Sequence, residues 1–268
     1  MLRRDFLPAA DAARLLSVGE VTESRESFFK NRTRNLDFLL RCRYEWMQEF
    51  ISKSQYGLEI GAGAGFSSLY FEGYNYILSD MESNPWLDKV FDATKIPLQD
   101  NSLDYIFESN VIHHISRPLN FFDEAYRTLK PGGVLLIQDV WGSFFLRSLL
   151  RIFRTEGYSY NFDVFDRSID ICDPHRLWAG NNVALNLLFE EKESQFKIFS
   201  STGLSVEKIE FSECFIFPLS GGVTSRFTVP QLPEFLLRAL LRLDSAITNV
   251  APHFLALQVR VVMRKPLD

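Results

Sequence analysis

A short apolar run that leads into three alternating glycines, LEIGAGAG at residues 58–65, constrains the fold of this chain most strongly. Glycine has no Cβ, so the backbone can turn sharply there and approach a ligand closely. The next apolar run, YNYILSD at residues 74–80, ends in Asp80. A carboxylate at such a strand end accepts hydrogen bonds from ribose hydroxyls in nucleotide-binding folds. The pattern therefore predicts a strand, a glycine turn, a helix in FSSLYFEG (66–73) and a second strand around an adenosine-type ligand.

The glycine spacing separates two classes of nucleotide site. A dinucleotide fingerprint of the form G-x-G-x-x-G needs a third glycine at position 66, where Phe66 stands, and the chain instead has G-x-G-x-G. This spacing disfavours a nicotinamide-dependent oxidoreductase, which stays as the weaker alternative.

The rest of the chain alternates between strand and helix patterns. Short apolar runs at 103–109 and 133–139 flank a helical pattern around 118–130, and Pro131-Gly132-Gly133 marks the end of that helix. Such alternation is typical of a doubly wound parallel α/β sheet, whose ligands bind beyond the carboxyl ends of the strands. Other segments are predicted as N-terminal helices (23–53), helices (141–154, 181–203 and 233–250) and strands (205–219 and 254–265).

Charge and cysteine content limit the classes of partner and compartment. The net charge of −5 gives the chain no electrostatic footprint for nucleic acid. The cysteines Cys42, Cys172 and Cys214 are odd in number and widely spaced, which fits neither a disulfide framework nor a structural zinc site. The start of the chain lacks an apolar stretch of signal-peptide length, and no run approaches the roughly 18 apolar residues of a spanning helix. We therefore expect a cytoplasmic protein with reduced cysteines.

Four motifs resemble the class I S-adenosylmethionine-dependent methyltransferases, in particular the methyltransferase type 11 group. They are LEIGAGAG, YILSD, FDATKIPLQDNSLDYIFESNVIHHI and RTLKPGGVLLIQD, and they follow the family's order between Tyr56 and Asp139. The resemblance implies a Rossmann-like, seven-stranded, mostly parallel sheet with an antiparallel last strand and helical, aromatic lid insertions. Its implied organisation is N-terminal helices (1–54), a cofactor-binding core (55–140), a substrate lid (141–204) and C-terminal strands with an inserted helix (205–268).

The resemblance also implies S-adenosylmethionine as cofactor, S-adenosylhomocysteine as product and a set of binding residues. The glycine loop would wrap the methionine part, with Glu59 near its ammonium group. Asp80 would hold the ribose, and the short segment between Asp80 and Asp92 implies that the usual helix there is reduced or absent. Local capping or turn formation is the alternative role for Glu59, Asp80 and Asp92. The implied cofactor residues are Glu59, Gly61, Ala62, Gly63, Gly65, Asp80, Met81, Asp92, Ala93, Glu108, Ser109 and Asn110.

Methyl transfer from a sulfonium is an in-line displacement, so positioning the acceptor and excluding water supply much of the acceleration. A hydroxyl acceptor also needs a base, and the candidates are His113, His114, Asp139 and His175. Packing or cofactor-side structure is the alternative for the histidine pair. The four histidines have no metal-ligand spacing, so no metal is expected.

The methyl acceptor has to be inferred from the segment after the motifs. Phenylalanine is in excess, with 25 copies against 13 for Trp and Tyr together, and many lie after residue 140. These rings, with nearby polar groups, suit a sugar or an apolar ring system, and ordinary core packing is the alternative explanation. The expected function is therefore O- or C-methylation of a small-molecule, glycan or lipid-linked acceptor. Arg147, Arg151 and Arg154 share one side of a predicted helix, which allows peripheral membrane contact or a solvated face. A catalytically silent module that keeps the cofactor site is the other functional alternative, and the oligomeric state is not predicted.

Overall fold

The computed structural model describes residues 5–7, 21–153, 156–173, 180–222 and 229–267. Its centre is a seven-stranded sheet in the order β3-β2-β1-β4-β5-β7-β6. The strands are β1 (Tyr56–Ile60), β2 (Asn75–Asp80), β3 (Lys89–Val90), β4 (Leu103–Ser109), β5 (Leu129–Val140), β6 (Ser205–Ser212) and β7 (Gln258–Arg264).

The helices of the described residues precede, connect and follow these strands. They are α1 (Val21–Asn31), α2 (Arg34–Glu45), α3 (Pro118–Thr128), α4 (Phe144–Phe153), α5 (Ala184–Phe189), α6 (Lys192–Thr202), α7 (Ile216–Ser220), α8 (Glu234–Val250) and α9 (Pro252–Leu255), with 3-10 turns at Trp46–Glu49, Phe66–Leu69 and Ile112–His114. None of the helices in the described ranges is long and apolar enough to cross a membrane.

The strand pairing confirms the predicted sheet. β1 pairs in parallel with β2 and with β4, and β4 pairs in parallel with β5. β7 is antiparallel to both β5 and β6. The strand order reverses between β1 and β4, so a ligand crevice is expected beyond their carboxyl ends.

The sheet is buried on both faces. Leu58 and Ile60 of β1 belong to the apolar cluster that contains residues of α3, α5 and α6. The opposite face packs Tyr105 and Phe107 against residues of α1 and α2. Because successive side chains of a strand point to opposite faces, Glu59 lies on the face that α1 and α2 cover.

Three segments differ from the sequence expectations. After Gly65 the chain forms only the 3-10 turn Phe66–Leu69 instead of a helix. The strand expected over 205–219 ends at Ser212, because the next residue, Glu213, has φ +56. The Asp244 carboxylate then accepts the N–H groups at the start of α7, those of Cys214, Phe215 and Ile216.

The third difference concerns the Pro131-Gly132-Gly133 motif. α3 ends earlier, at Thr128, and the three residues lie inside β5. Gly132 has φ +79, and the register between β4 and β5 shifts near this position. The motif therefore shapes an irregular strand start, a β-bulge-like use of glycine, and does not terminate a helix.

Candidate functional site

The glycine loop that follows β1 depends on backbone conformations that favour glycine. Gly61, Gly63 and Gly65 have φ angles of +63, +50 and +65. A Cβ on Gly61 would lie 2.4 Å from the Val111 side chain, so that position is also sterically closed. A Cβ on Gly63 would have no contact closer than the Gly61 carbonyl oxygen at 3.9 Å, so it would project into open space. The loop thus presents backbone without side chains to the open space beside Gly63, which we call the cradle.

Asp80, at the carboxyl end of β2, fixes this loop in place. Its Oδ2 accepts the Gly63 N–H at 2.8 Å and its Oδ1 accepts the Glu82 N–H at 3.1 Å. The Ala62 N–H donates to the Ser79 carbonyl oxygen at 2.9 Å. β1 and β2 are therefore joined at the crevice by hydrogen bonds through predicted cofactor residues, and Asp80 retains further lone pairs for a ligand.

Two residues that the sequence did not single out contact the glycine loop. The Trp86 Nε1–H donates to the Gly63 carbonyl oxygen at 2.8 Å, and the Arg25 guanidinium donates to the Ala64 carbonyl oxygen. The guanidinium carbon of Arg25 lies 4.6 Å from the Trp86 ring centroid and 4.7 Å from that of Phe29. No local pattern marks these residues, because the contact of α1 with the loop exists only in the tertiary structure.

Glu59 is almost completely buried beneath the loop. Its carboxylate accepts a hydrogen bond from the Ser67 hydroxyl. Burial raises the pKa of Glu59 from 4.5 to about 8, against the lowering effect of the Ser67 hydrogen bond. Glu59 is therefore largely protonated near neutral pH unless a cation approaches it.

The predicted adenine side consists of a loop and a strand end. Met81 is exposed, and Ala93 packs against the core. Asp92 is exposed, and its Oδ1 accepts both the N–H and the hydroxyl of Thr94 at 2.8 Å each. Asp92 thus has the local turn role that was the alternative for it, while its adenine role stays a prediction. The residues between β2 and β3 contain no helix, as the short segment implied.

The predicted sulfonium side lies at the end of β4. Glu108 is fully buried, its Oε2 accepts the Val111 N–H at 2.8 Å, and its Oε1 has no hydrogen-bond partner. Burial, followed by the nearby Asp139 carboxylate, raises the pKa of Glu108 well above its usual range. Asn110 adopts φ +62, and its Oδ1 accepts the Gln258 Nε2–H at 2.8 Å, while its Nδ2–H donates to the Ser109 hydroxyl at 3.3 Å.

Three of the four predicted catalytic residues, His113, His114 and Asp139, form one cluster next to this strand end. His113 Nδ1 lies 2.5 Å from Asp139 Oδ1, and the His113 backbone N–H donates to Asp139 Oδ2 at 3.1 Å. Burial acts to lower the pKa of His113, but the Asp139 charge and hydrogen bond outweigh it and the net pKa is raised. The ring centroids of His113 and His114 lie 3.9 Å apart. Burial, followed by the neighbouring His113, lowers the pKa of His114 to about 4. His175 lies outside the described residues.

The cluster contains one residue that the sequence did not indicate. Glu156 Oε2 lies 3.8 Å from His113 Nε2, on the ring edge opposite Asp139. Ligand-type atoms of His113, His114 and Glu156 all lie within 4.8 Å of one another. The expectation that no metal-ligand set exists considered sequence spacing alone, and it missed this set because Glu156 comes from a distant segment.

The aromatic residues of the predicted lid do not share one surface. Trp141 and Tyr158 are buried, and Phe189 belongs to the main core. In contrast, Phe196 and Phe199 of α6 are exposed. The structure thus gives several of these rings the core role that was the alternative explanation.

The basic side of α4 makes contacts within the molecule. The Arg147 guanidinium donates to the Tyr160 hydroxyl at 2.5 Å, and Arg151 lies over the Tyr158 ring at 5.5 Å. Arg154, the third residue of this predicted basic side, lies outside the described residues, as do the lid residues Arg176 and Trp178. Membrane contact by this helix stays a prediction.

The donor set fits S-adenosylmethionine. Gly63 leaves a cradle that a Cβ would fill, Asp80 offers acceptor oxygens, and Glu59 and Arg25 bring a carboxyl group and a guanidinium to the loop. The Asp80 oxygens suit the ribose hydroxyls of the ligand, the Glu59 carboxyl group suits its ammonium group, and the Arg25 guanidinium suits its carboxylate.

Comparison with known proteins supports this assignment. Residues 58–137 match the family model described as "Methyltransferase domain". A malonyl-[acyl-carrier protein] O-methyltransferase from Marinomonas sp. (strain MWYL1) is 47% identical over 49 residues, which are 18% of this chain and 18% of that protein. A ubiquinone/menaquinone biosynthesis C-methyltransferase from Ruegeria sp. (strain TM1040) is 44% identical over 48 residues, 18% of this chain and 19% of that protein. The chain thus matches less than a fifth of the length of either relative.

The fold is shared over a longer stretch. The crystal structure of a SAM-dependent methyltransferase from Archaeoglobus fulgidus aligns with 90% of this chain and 99% of its own, with a TM-score of 0.53 and 17% identity. The family match and this fold agree with the four motifs and with the strand order. Residues 58–137 therefore match a methyltransferase domain, and the chain has the fold of the class I S-adenosylmethionine-dependent methyltransferases.

Proposed function

We propose that this protein transfers the methyl group of S-adenosylmethionine to a small-molecule, glycan or lipid-linked acceptor by O- or C-methylation and releases S-adenosylhomocysteine. The observation that carries the proposal is the glycine loop, in which Gly63 has φ +50, faces open space and is tied to Asp80 at the strand-order reversal of the sheet. A loop of this kind at this edge is suited to an adenosine-type ligand.

In the proposed complex the chain's own groups orient the cofactor, which supplies a methyl group on a sulfonium sulfur with a good leaving group. The glycine loop holds the methionine part, and Asp80 accepts hydrogen bonds from the ribose. Glu59 lies on the ammonium side, where a positive charge favours its ionised form. The adenine and sulfonium sides are assigned to Met81, Asp92 and Ala93 and to Glu108, Ser109 and Asn110.

Arg25 adds a group that the motifs do not contain. Its guanidinium donates to the Ala64 carbonyl oxygen and contacts the rings of Phe29 and Trp86, so it brings a positive charge to the glycine loop. The amino-acid end of the cofactor carries a carboxylate, and guanidinium groups bind carboxylates strongly through charge-assisted hydrogen bonds. We assign the carboxylate end of the cofactor to Arg25.

On the acceptor side, the His113–Asp139 pair is placed to take the proton that a hydroxyl acceptor would lose. Asp139 accepts from both His113 Nδ1 and the His113 backbone, which fixes the ring and leaves Nε2 on the edge that faces Glu156. For a hydroxyl acceptor, His113 Nε2 is the proposed proton acceptor and Asp139 is its positioning residue. His114 has its pKa lowered to about 4 and stays neutral near neutral pH, which suits packing better than proton uptake.

The proposal keeps both O- and C-methylation, because the names of the relatives do not select one acceptor atom: they include an O-, a C- and an N-methyltransferase. A nucleic acid acceptor does not fit the net charge of −5.

The test of turnover uses S-adenosylmethionine labelled in its methyl group, with aqueous and lipid fractions of a cell extract as acceptors. We expect label in a small-molecule, glycan or lipid fraction with the wild-type protein, and much less label with Asp80→Ala at the same low concentration of cofactor. Binding of S-adenosylhomocysteine without label transfer to any fraction would contradict the proposed enzyme and identify a silent binding module.

A further inference from the structure

We propose that His113, His114 and Glu156 form a binding site for a divalent transition-metal ion of the zinc type. Three ligand-type atoms, one from each residue, lie within 4.8 Å of one another. His113 Nδ1 is engaged by Asp139, so Nε2 is its ligand atom, and this atom lies 3.8 Å from Glu156 Oε2. Both histidines belong to the 3-10 turn Ile112–His114, which places their backbones next to one another.

Hydrogen bonds with neighbouring residues orient two of the three proposed ligands, His113 and Glu156. Metal-bound histidines almost always donate their other ring N–H to a carboxylate or carbonyl, which fixes tautomer and orientation. Asp139 is placed to accept that proton from His113 Nδ1 at 2.5 Å. The Asn182 Nδ2–H donates to Glu156 Oε2 at 2.8 Å, so the ligating carboxylate is oriented as well.

The backbone next to the cluster leaves room for both rings. A Cβ on Gly180 would lie 2.7 Å from His113 Cδ2 and 2.9 Å from His114 Nδ1. The Asn181 N–H donates to the His113 carbonyl oxygen at 2.7 Å, which holds this segment against the histidines. Any side chain at position 180 would displace the imidazoles, so glycine is required for the arrangement.

The donor set selects the class of ion. Two imidazole nitrogens and one carboxylate suit Zn²⁺ and neighbouring transition metals, whereas Mg²⁺ and Ca²⁺ take oxygen ligands. Two histidines and one carboxylate leave at least one coordination position for water or another ligand. The role of this open coordination position rests on the proposed function. The metal site follows the predicted sulfonium side, Glu108 to Asn110, by one turn of chain. The open coordination position is therefore assigned to an oxygen or nitrogen of the methyl acceptor.

Metal binding and direct proton uptake use the same atom, His113 Nε2, so one molecule cannot do both. A bound cation would lower the pKa of a coordinated hydroxyl, and the proton that this hydroxyl loses would then go to solvent water instead of His113. The metal proposal therefore replaces the direct-base role of His113 in the loaded protein and leaves the role of Asp139 unchanged.

The test titrates the full-length protein, stripped with a chelator, with Zn²⁺ by competition against a chromophoric chelator and with Co²⁺ by its visible absorption. We expect one equivalent of Zn²⁺ per chain and a Co²⁺ spectrum of a nitrogen–oxygen site. Glu156→Gln and His114→Gln should each weaken Zn²⁺ binding by more than 10-fold, and Asp139→Asn by about 10- to 100-fold. His253→Gln, at an exposed histidine outside the cluster, should leave the affinity unchanged.

Far-ultraviolet circular dichroism of each variant checks that a lost site is not a lost fold, and Glu156→Gln is the decisive variant because Glu156 is partly exposed. Failure to bind a stoichiometric ion, or equal affinity in Glu156→Gln and wild type, would overturn the proposal. S-Adenosylhomocysteine titration of the same samples reports on the cofactor site separately, so either proposal can fail without the other.

Discussion

Gly63 and Gly73 have similar backbone requirements but different surroundings. Their φ angles are +50 and +80. A Cβ on Gly63 enters open space beside the predicted cofactor, whereas one on Gly73 meets the flexible Lys53 side chain, its Nζ at 3.0 Å. The two positions therefore separate the effect of backbone strain from the effect on ligand binding.

Gly63→Ala should lower the free energy of unfolding by about 1–2 kcal/mol, the cost of a left-handed conformation for an L-residue. It should also weaken S-adenosylhomocysteine binding, because the methyl group occupies the cradle. Gly73→Ala should show a similar loss of stability with unchanged affinity. Urea unfolding and calorimetry of both variants check this, and equal affinity of Gly63→Ala and wild type would contradict the assigned cradle.

The raised pKa of Glu59 predicts that the stability of the protein depends on pH. Its pKa of about 8 in the folded protein lies above its ordinary value of 4.5, so between these values the folded state binds more protons than the unfolded state. The free energy of unfolding should therefore fall as pH rises from about 4.5 to 8, by at most about 1.4 kcal/mol per pH unit from this group. Chemical unfolding at several pH values should give a flatter profile for Glu59→Gln; parallel profiles would show that Glu59 is ionised in the fold.

At the scale of elements, α1 brings Arg25 to the glycine loop. Phe28 of α1 is buried, and its ring centroid lies 4.7 Å from that of Phe66, directly after the loop. This contact places α1 against the 3-10 turn that stands where the sequence predicts a longer helix. The N-terminal helix is therefore in contact with the candidate cofactor site.

Arg25→Gln should weaken S-adenosylhomocysteine binding by about 10-fold or more, since hydrogen bonds to charged groups contribute about 1.5–3 kcal/mol. Binding of 5′-methylthioadenosine, which lacks the amino-acid end, should be unchanged. Calorimetry with both ligands makes the comparison, with Arg32→Gln, at an exposed residue of the same N-terminal region, as the control. Equal losses for the two ligands would contradict the assignment of Arg25 to the carboxylate.

The elements also show what could be predicted from sequence. The glycine loop, Asp80 and the strand order follow from local patterns and motif order, because strand periodicity and glycine requirements are local properties. The end of β6 was missed, since Asp244 caps the following helix from a distant segment. Arg25, Trp86 and Glu156 were missed for the same reason: each enters the site through contacts with residues far away in the sequence.

On the scale of the whole molecule, a buried ion pair joins the N-terminal helices to the C-terminal strands. Arg43 of α2 donates two hydrogen bonds of 2.7 Å to the carboxylate of Glu213, which follows β6, and both side chains are buried. The segments outside the family match are thus fixed to one another by a strong polar contact.

Loss of one partner leaves the other as a buried unpaired charge. Glu213→Leu or Arg43→Met alone should therefore lower the free energy of unfolding by about 3–5 kcal/mol, and the double variant Arg43→Met/Glu213→Leu should recover much of this loss. Urea unfolding of the three variants measures the coupling. Additive losses would show that the pair does not act as a unit.

The central claim, a cofactor site built on the glycine loop and Asp80, is tested most directly by calorimetric titration with S-adenosylhomocysteine. Asp88 is the matched control for Asp80, because it too accepts a backbone N–H of the β2 region, that of Leu78 at 2.8 Å. We predict one binding site per chain, an affinity loss of about 10- to 100-fold in Asp80→Ala, and wild-type affinity in Asp88→Ala. No binding heat with the wild-type protein, or equal affinity of Asp80→Ala and wild type, would contradict the account.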